Sequence, residues 1–198
     1  GQLGTIGKFF SSGLLSKEFE EVGAIKLINP IKIKVNSVAY KPKKVDSVSS
    51  KLQTETDYVK LKIIDEINFI ANLNSIENIN YLNFLKENND TFIRTEGVWL
   101  FSTEQVATLL NARSVYLMND GLSNYILQAS MPNGKVKKIY FDNSIIYKAK
   151  YMSTCWQENN RGTFLIAALK NKGRKCSGNT KQNLKDLEKE DLFDQLNN

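Results

Sequence analysis

The chain has 198 residues, 41% of them hydrophobic and 24% charged, with 27 lysines and arginines against 21 aspartates and glutamates for a formal net charge of +6. This composition supports one ordinary globular core, or one with a small appendage, and excludes wholesale disorder and a bilayer-spanning helix, since no apolar run approaches the roughly 20 residues such a span needs. Histidine is absent and the only cysteines are Cys155 and Cys176, which removes the commonest general base, any Cys–His nucleophile pair and a structural zinc site.

Taken in order, residues Lys8 to Val22 place Phe10, Leu14, Phe19 and Val22 nearer to helical than to strand spacing, and a short amphipathic helix is expected there. Ala24 to Ile28, then Ile31, Ile33 and Val35, alternate with Lys26, Lys32, Lys34 and Asn36, the period of a half-buried strand, with Pro30 separating the two pieces. Lys41 to Thr56 is polar and reads as a linker or long exposed loop. From Tyr58 a strand through Val59, Leu61 and Ile63 competes with a helix start at Asp57, and a helix is favoured over Asp65 to Asn72. Ser75 caps a second helix carrying Ile76, Ile79, Leu82 and Leu85 until Asn88-Asn89-Asp90 stops it, so the two form a helical hairpin.

The remainder reads as antiparallel sheet. Phe92 and Arg94 lead through Glu96-Gly97 into Val98 to Phe101, and Thr103 opens a short helix bearing Val106, Leu109 and Leu110. Strands are expected at Val115 to Met118, Tyr125 to Ala129, Val136 to Phe141, Ile145 to Met152 and Thr163 to Leu169. Asn119-Asp120-Gly121 and Pro132-Asn133-Gly134 supply the hairpin turns. A peripheral helix through Leu184, Leu187, Leu192 and Leu196 closes the chain. The fold class expected is α+β, with N-terminal helices and a helical hairpin packed on a largely antiparallel, meander-like sheet. Four segments are expected, which could all be one domain: 1–40, an exposed loop at 41–56, a main domain at 57–176 and a polar tail at 177–198.

Cys155 and Cys176 are separated by a predicted strand and the turn Lys172-Gly173-Arg174, a spacing that lets the chain return and close a disulfide; two free thiols are the alternative. Basic residues cluster at Lys41-Pro42-Lys43-Lys44, at Lys135, Lys137 and Lys138, and at Lys170, Lys172, Arg174 and Lys175. Acidic ones gather in the tail at Asp186, Glu188, Glu190, Asp191 and Asp194. Such patches can hold phosphate backbones or anionic surfaces, but only four arginines accompany the lysines, and bidentate phosphate grips favour arginine. Trp99, Trp156, Tyr125, Tyr140, Tyr147 and Tyr151 lie on or near the predicted sheet, where core and cross-strand pairing is favoured over stacking on bases or sugars as their role.

The glycines at 4 and 7 with Lys8 fail the phosphate-loop pattern, and no dinucleotide, nucleophile-elbow, calcium-loop or kinase signature occurs. Asn89-Asp90-Thr91 satisfies the glycosylation triplet, which an asparagine-rich chain produces readily. Asp65, Glu66, Glu104, Asp142 and Glu158 are the carboxylates open to acid–base work, and each also suits a solvent-facing helix, cap or turn. No catalytic, cofactor or metal site is expected, and no cofactor.

The leading reading is a non-enzymatic extracytoplasmic module, envelope-associated or secreted, that binds a protein, a surface glycan or another surface partner. It rests on the expected disulfide, on a start at Gly1 without methionine, which is expected of a trimmed product, and on the lack of catalytic signatures. The binding surface expected comprises Lys135, Lys137, Lys138, Tyr140, Lys170, Lys172, Arg174 and Lys175. A nucleic-acid-associated protein using the same lysines with sheet aromatics is the alternative, and a carboxylate-dependent hydrolase the third reading.

Overall fold

The computed structural model describes residues 1–12, 16–39, 55–122, 124–141, 144–187 and 196. In chain order the elements are β1 (Thr5–Ser12), β2 (Ser16–Ala24), β3 (Ile31–Ser37), β4 (Thr56–Ile63), α1 (Glu66–Leu73), a 3-10 turn (Ile76–Asn78), α2 (Ile79–Glu87), β5 (Thr91–Ser102), α3 (Thr103–Asn111), β6 (Ser114–Asn119), β7 (Tyr125–Ser130), β8 (Val136–Tyr140), β9 (Ile145–Glu158) and β10 (Phe164–Asn171). They form two compact units, and the long strands β5 and β9 contribute one end to each.

The first unit comprises Gly1–Leu3, Leu27–Asp65 and Thr95–Lys150. Its strands run in the order β5-β4-β3-β6-β7-β8, every pair antiparallel. Alternation fixes the faces: Ile31, Ile33, Val59, Leu61 and Trp99 are buried while the lysines between them turn the other way. Trp99 is fully buried, its Nε1 donates to the Gly1 carbonyl at 2.9 Å, and its ring meets Phe141 edge-on at 5.7 Å. α3 lies against β3 and β4 and starts in a capping box: Ser102 Oγ accepts from Gln105 N–H while the Gln105 side chain accepts from Ser102 N–H. The β7–β8 turn places Gly134 at φ +83°, a conformation glycine adopts without strain, and Gly134 N–H donates to Met131 O at 3.0 Å.

The second unit comprises Gly4–Lys26, Glu66–Arg94 and Tyr151–Asn198. β1 and β2 form a hairpin with Phe9 opposite Phe19, and β1 also pairs with the start of β5, Ile6 opposite Ile93. β9 pairs with β10, and side chains of the helical segment satisfy the other edge of β10. Asn74 both donates to Ile166 O at 2.8 Å and accepts from Ile166 N–H at 2.9 Å, and Glu66 accepts from Leu169 N–H at 3.1 Å. Edge groups capped in this way are withdrawn from pairing with other chains. Buried Asn78 ties the hairpin's exit to the helices, accepting from Lys26 N–H at 2.7 Å and donating to Lys26 O at 2.8 Å and Asn72 O at 2.7 Å. Cys155 and Cys176 are bonded, with Cα atoms 5.7 Å apart. Beyond the bond the chain lies along Trp156, whose backbone exchanges hydrogen bonds of 2.7 and 3.0 Å with Lys181.

This architecture overturns the α+β expectation. Among the described residues strands account for 49% and helices for 21%, and the first elements in the chain are strands, not helices. The segment from Lys8 to Val22 is the β1–β2 hairpin. Its apparent helical spacing loses to aromatic cross-strand packing: Phe9 meets Phe19 at 5.2 Å, Phe92 at 5.2 Å and Tyr151 at 4.9 Å. Gly7 permits the close approach, since a Cβ there would run into the Glu20 carbonyl and the Phe19 ring. Of the expected piece Ala24 to Ile28 only Ala24 is strand, because Lys26 gives its backbone groups to Asn78 instead of a neighbouring strand. The helical pair of residues 66–87 is present but sits between β4 and β5, and β5 runs unbroken through Glu96-Gly97. Residues 41–54, Leu14, Asp142 and the distal tail lie outside the described residues.

Candidate functional site

The pairing register assembles on one face of the first unit's sheet a set of lysines that lie far apart in the chain. Lys34 stands directly opposite Lys62, and Asn36 opposite Lys60. Lys32 stands opposite Tyr116, Tyr116 opposite Gln128, and Gln128 opposite Lys138, a row crossing four strands. With neighbouring strands about 4.8 Å apart, that row spans about 14 Å, and lysines two residues apart on one strand are about 7 Å apart. Tyr140 stands at the same face opposite Ile126 and is 41% exposed. Like charges directly opposite each other destabilise a sheet, and the Lys34–Lys62 repulsion is offset in part by Glu96, which stands opposite Lys62 on its other side.

Among the described residues Glu96 is the only acidic one at the register positions of this face, opposite Lys62. Its side chain is 10% exposed and pairs with Lys60 Nζ at 3.4 Å and Lys150 Nζ at 3.2 Å. Burial by itself would push its carboxyl up, but the hydrogen bond and charge of Lys150 together with Lys60 outweigh that and hold it below the usual glutamate range. These groups border a cleft of about 170 Å³ lined by Lys60, Glu96, Gly97, Val98 and residues 148–150. Gly97 floors it because a Cβ there would stand 2.8 Å from both Lys148 O and the Trp99 ring. The cleft therefore presents two ammonium groups paired with one shared carboxylate, an arrangement that leaves one net positive charge at its border.

The residues singled out in the sequence divide between the units. Lys135, Lys137, Lys138 and Tyr140 belong to the first and Lys170, Lys172, Arg174 and Lys175 to the second, so they do not make one continuous surface within either. Lys137 and Lys138 are exposed on opposite faces of β8, since adjacent strand residues alternate. Lys170 is 9% exposed and its ammonium donates to the Arg174 carbonyl at 2.5 Å. Lys172 lies over the Phe9 ring at 4.5 Å, while Arg174 and Lys175 are exposed beside Cys176. The lysines of β3 and β4 were visible as the polar half of an alternation; only the strand order, which no local pattern carries, shows that Lys32, Lys34, Lys60, Lys62 and Lys138 converge.

The aromatics mostly serve packing. Trp156 is buried, Tyr125 is 3% exposed, and Tyr147 covers Tyr58 at 5.7 Å. In the second unit Phe9, Phe19, Phe92 and Tyr151 cluster around buried Arg94, which donates to Glu21 at 3.0 Å and lies over Phe19 at 5.2 Å and Tyr151 at 5.6 Å. Among the carboxylates considered, Glu66 caps β10 and Glu104 sits in the first turn of α3.

Among the described residues no group of three or more histidine, cysteine, aspartate or glutamate side chains is placed to hold a metal ion, and no helix is long and apolar enough to cross a membrane. Compared with known proteins, the chain matches no family model, and no curated protein or solved structure is significantly similar to it.

Proposed function

We propose that this is a non-enzymatic extracytoplasmic binding module, envelope-associated or secreted, that engages a surface partner through the lysine face of its first unit. The observation that carries the reading is the convergence of Lys32, Lys34, Lys60, Lys62 and Lys138 on one sheet face, with Lys34 directly opposite Lys62. The disulfide supports the compartment, because such bonds persist in oxidising surroundings. Fractionation of the source cells with thiols blocked at lysis tests the proposal. Protein in the extracytoplasmic fraction with no reactive thiol after unfolding is expected; a cytoplasmic protein with two reactive thiols would overturn it.

The same lysines, accompanied by Tyr116 and Tyr140, also favour a second reading, a nucleic-acid-associated protein. That reading requires gel-shift retention at low salt that falls steeply as salt rises, and is dismissed by its absence.

A further inference from the structure

We infer that the partner of this lysine face is an acidic polysaccharide, a sugar chain carrying repeated carboxylate or sulfate groups; the inference rests on the binding-module reading and specifies its ligand. Lys32 and Lys34 of β3 and Lys60 and Lys62 of β4 form a block on two paired strands, and Lys138 extends it across β6 and β7 to β8. Among the described residues Glu96 is the one carboxylate at the register positions of this face; it stands opposite Lys62 and pairs with Lys60 and Lys150, so a single negative charge is set against Lys32, Lys34, Lys60, Lys62 and Lys138. A linear polyanion laid across the strands meets the four ammonium groups of β3 and β4 at intervals of about 5 to 7 Å, reaches Lys138 about 14 Å from Lys32, and relieves the repulsion within the block. A compact monovalent anion reaches one or two of them only.

Two observations select a polysaccharide over a nucleic acid. No arginine stands at the register positions of this face, whereas phosphate and base recognition favour the planar guanidinium. The disulfide speaks for a compartment where acidic glycans, not nucleic acids, are the prevalent polyanions. Tyr140, exposed at the end of the Tyr140–Ile126–Met118 row, offers an amphipathic ring for the apolar face of a sugar.

The test is titration of the oxidised, full-length protein with heparin and with alginate, alongside a single-stranded DNA oligonucleotide, at low and at about 0.5 M salt. Lys34→Gln with Lys62→Gln removes the opposed pair without enlarging either side chain. This double variant is expected to stay folded, to lose about tenfold or more in polysaccharide affinity and to show a shallower salt dependence. Lys137→Gln with Lys175→Gln removes the same charge away from the face and is expected to bind like the native chain. Equal losses in both double variants would mean that bulk charge alone attracts the polymer and would overturn the inference, as would no retention of either polysaccharide at low salt. Tighter binding of the oligonucleotide than of both polysaccharides would overturn it in favour of nucleic acid. Failure here together with an oxidised extracytoplasmic protein would leave the compartment standing and remove only the ligand; a reduced cytoplasmic protein would remove the underlying reading whatever heparin does.

Discussion

Reducing the Cys155–Cys176 bond should weaken the second unit by about 3 kcal/mol. The bond closes a loop over a sequence separation of 21, and the chain-entropy relation for a loop of this length returns about 3.4 kcal/mol at 25 °C. With a urea dependence of about 2 kcal/mol per molar, the midpoint should fall by about 1.5 M. Reduction changes few atoms, so it isolates the constraint; Cys155→Ala with Cys176→Ala adds the loss of a sulfur buried to 1% exposure and should fall somewhat further. The measurement is urea titration with hydrogen exchange read at the Ile166 and Leu169 amides, which bond to Asn74 and Glu66 within the second unit. Reduction should also release the segment running to Lys181 to proteolysis, because its backbone bonds to Trp156 follow the covalent tie. A midpoint that shifts by less than about 0.3 M on reduction would refute the reasoning, and a large loss in the alanine variant alone would assign the effect to packing of the sulfur.

Glu96 makes acid stability a second readout. Its folded carboxyl titrates below the ordinary glutamate value of 4.5, so the stabilisation from Lys150 and Lys60 is complete above that value and is lost as pH falls through the lower folded one. Glu96→Gln should therefore cost about 1 kcal/mol or less at pH 7, since both lysines are substantially exposed, and should flatten the stability profile below pH 4.5 in urea titrations; an unchanged acid limb would count against the pairing. Asn78→Ala leaves Lys26 N–H and O and Asn72 O without their side-chain partner and should cost about 2 to 3 kcal/mol, with faster exchange at the Lys26 amide; protection equal to the native chain would contradict the network. Asn74→Ala bares the Ile166 backbone groups on the β10 edge and should produce concentration-dependent association in light scattering, a result that fails if the elution profile matches the native chain at every concentration.

The strands from Val115 to Tyr140 were legible because each is written locally: alternation within a strand and Asn-Gly in a hairpin. Lys8 to Val22 misled because a few apolar side chains fit two periods, and the deciding partners, Phe92 and Tyr151, are distant in sequence. The expected binding surface grouped neighbours along the chain, whereas Lys137 and Lys138 take opposite faces and Lys170 is buried against Arg174.

By itself the amino-acid sequence determined the absence of histidine chemistry, the alternation that makes half of each strand polar, and the two sulfurs available to meet. Tertiary structure alone decided that those sulfurs do meet and that Lys34 faces Lys62 with Lys32 in the row leading to Lys138. The reason is physical: the side a residue takes follows from its own strand's pleat, but its neighbours across the sheet follow from strand order and register, which are set by the burial of the whole inner face at once.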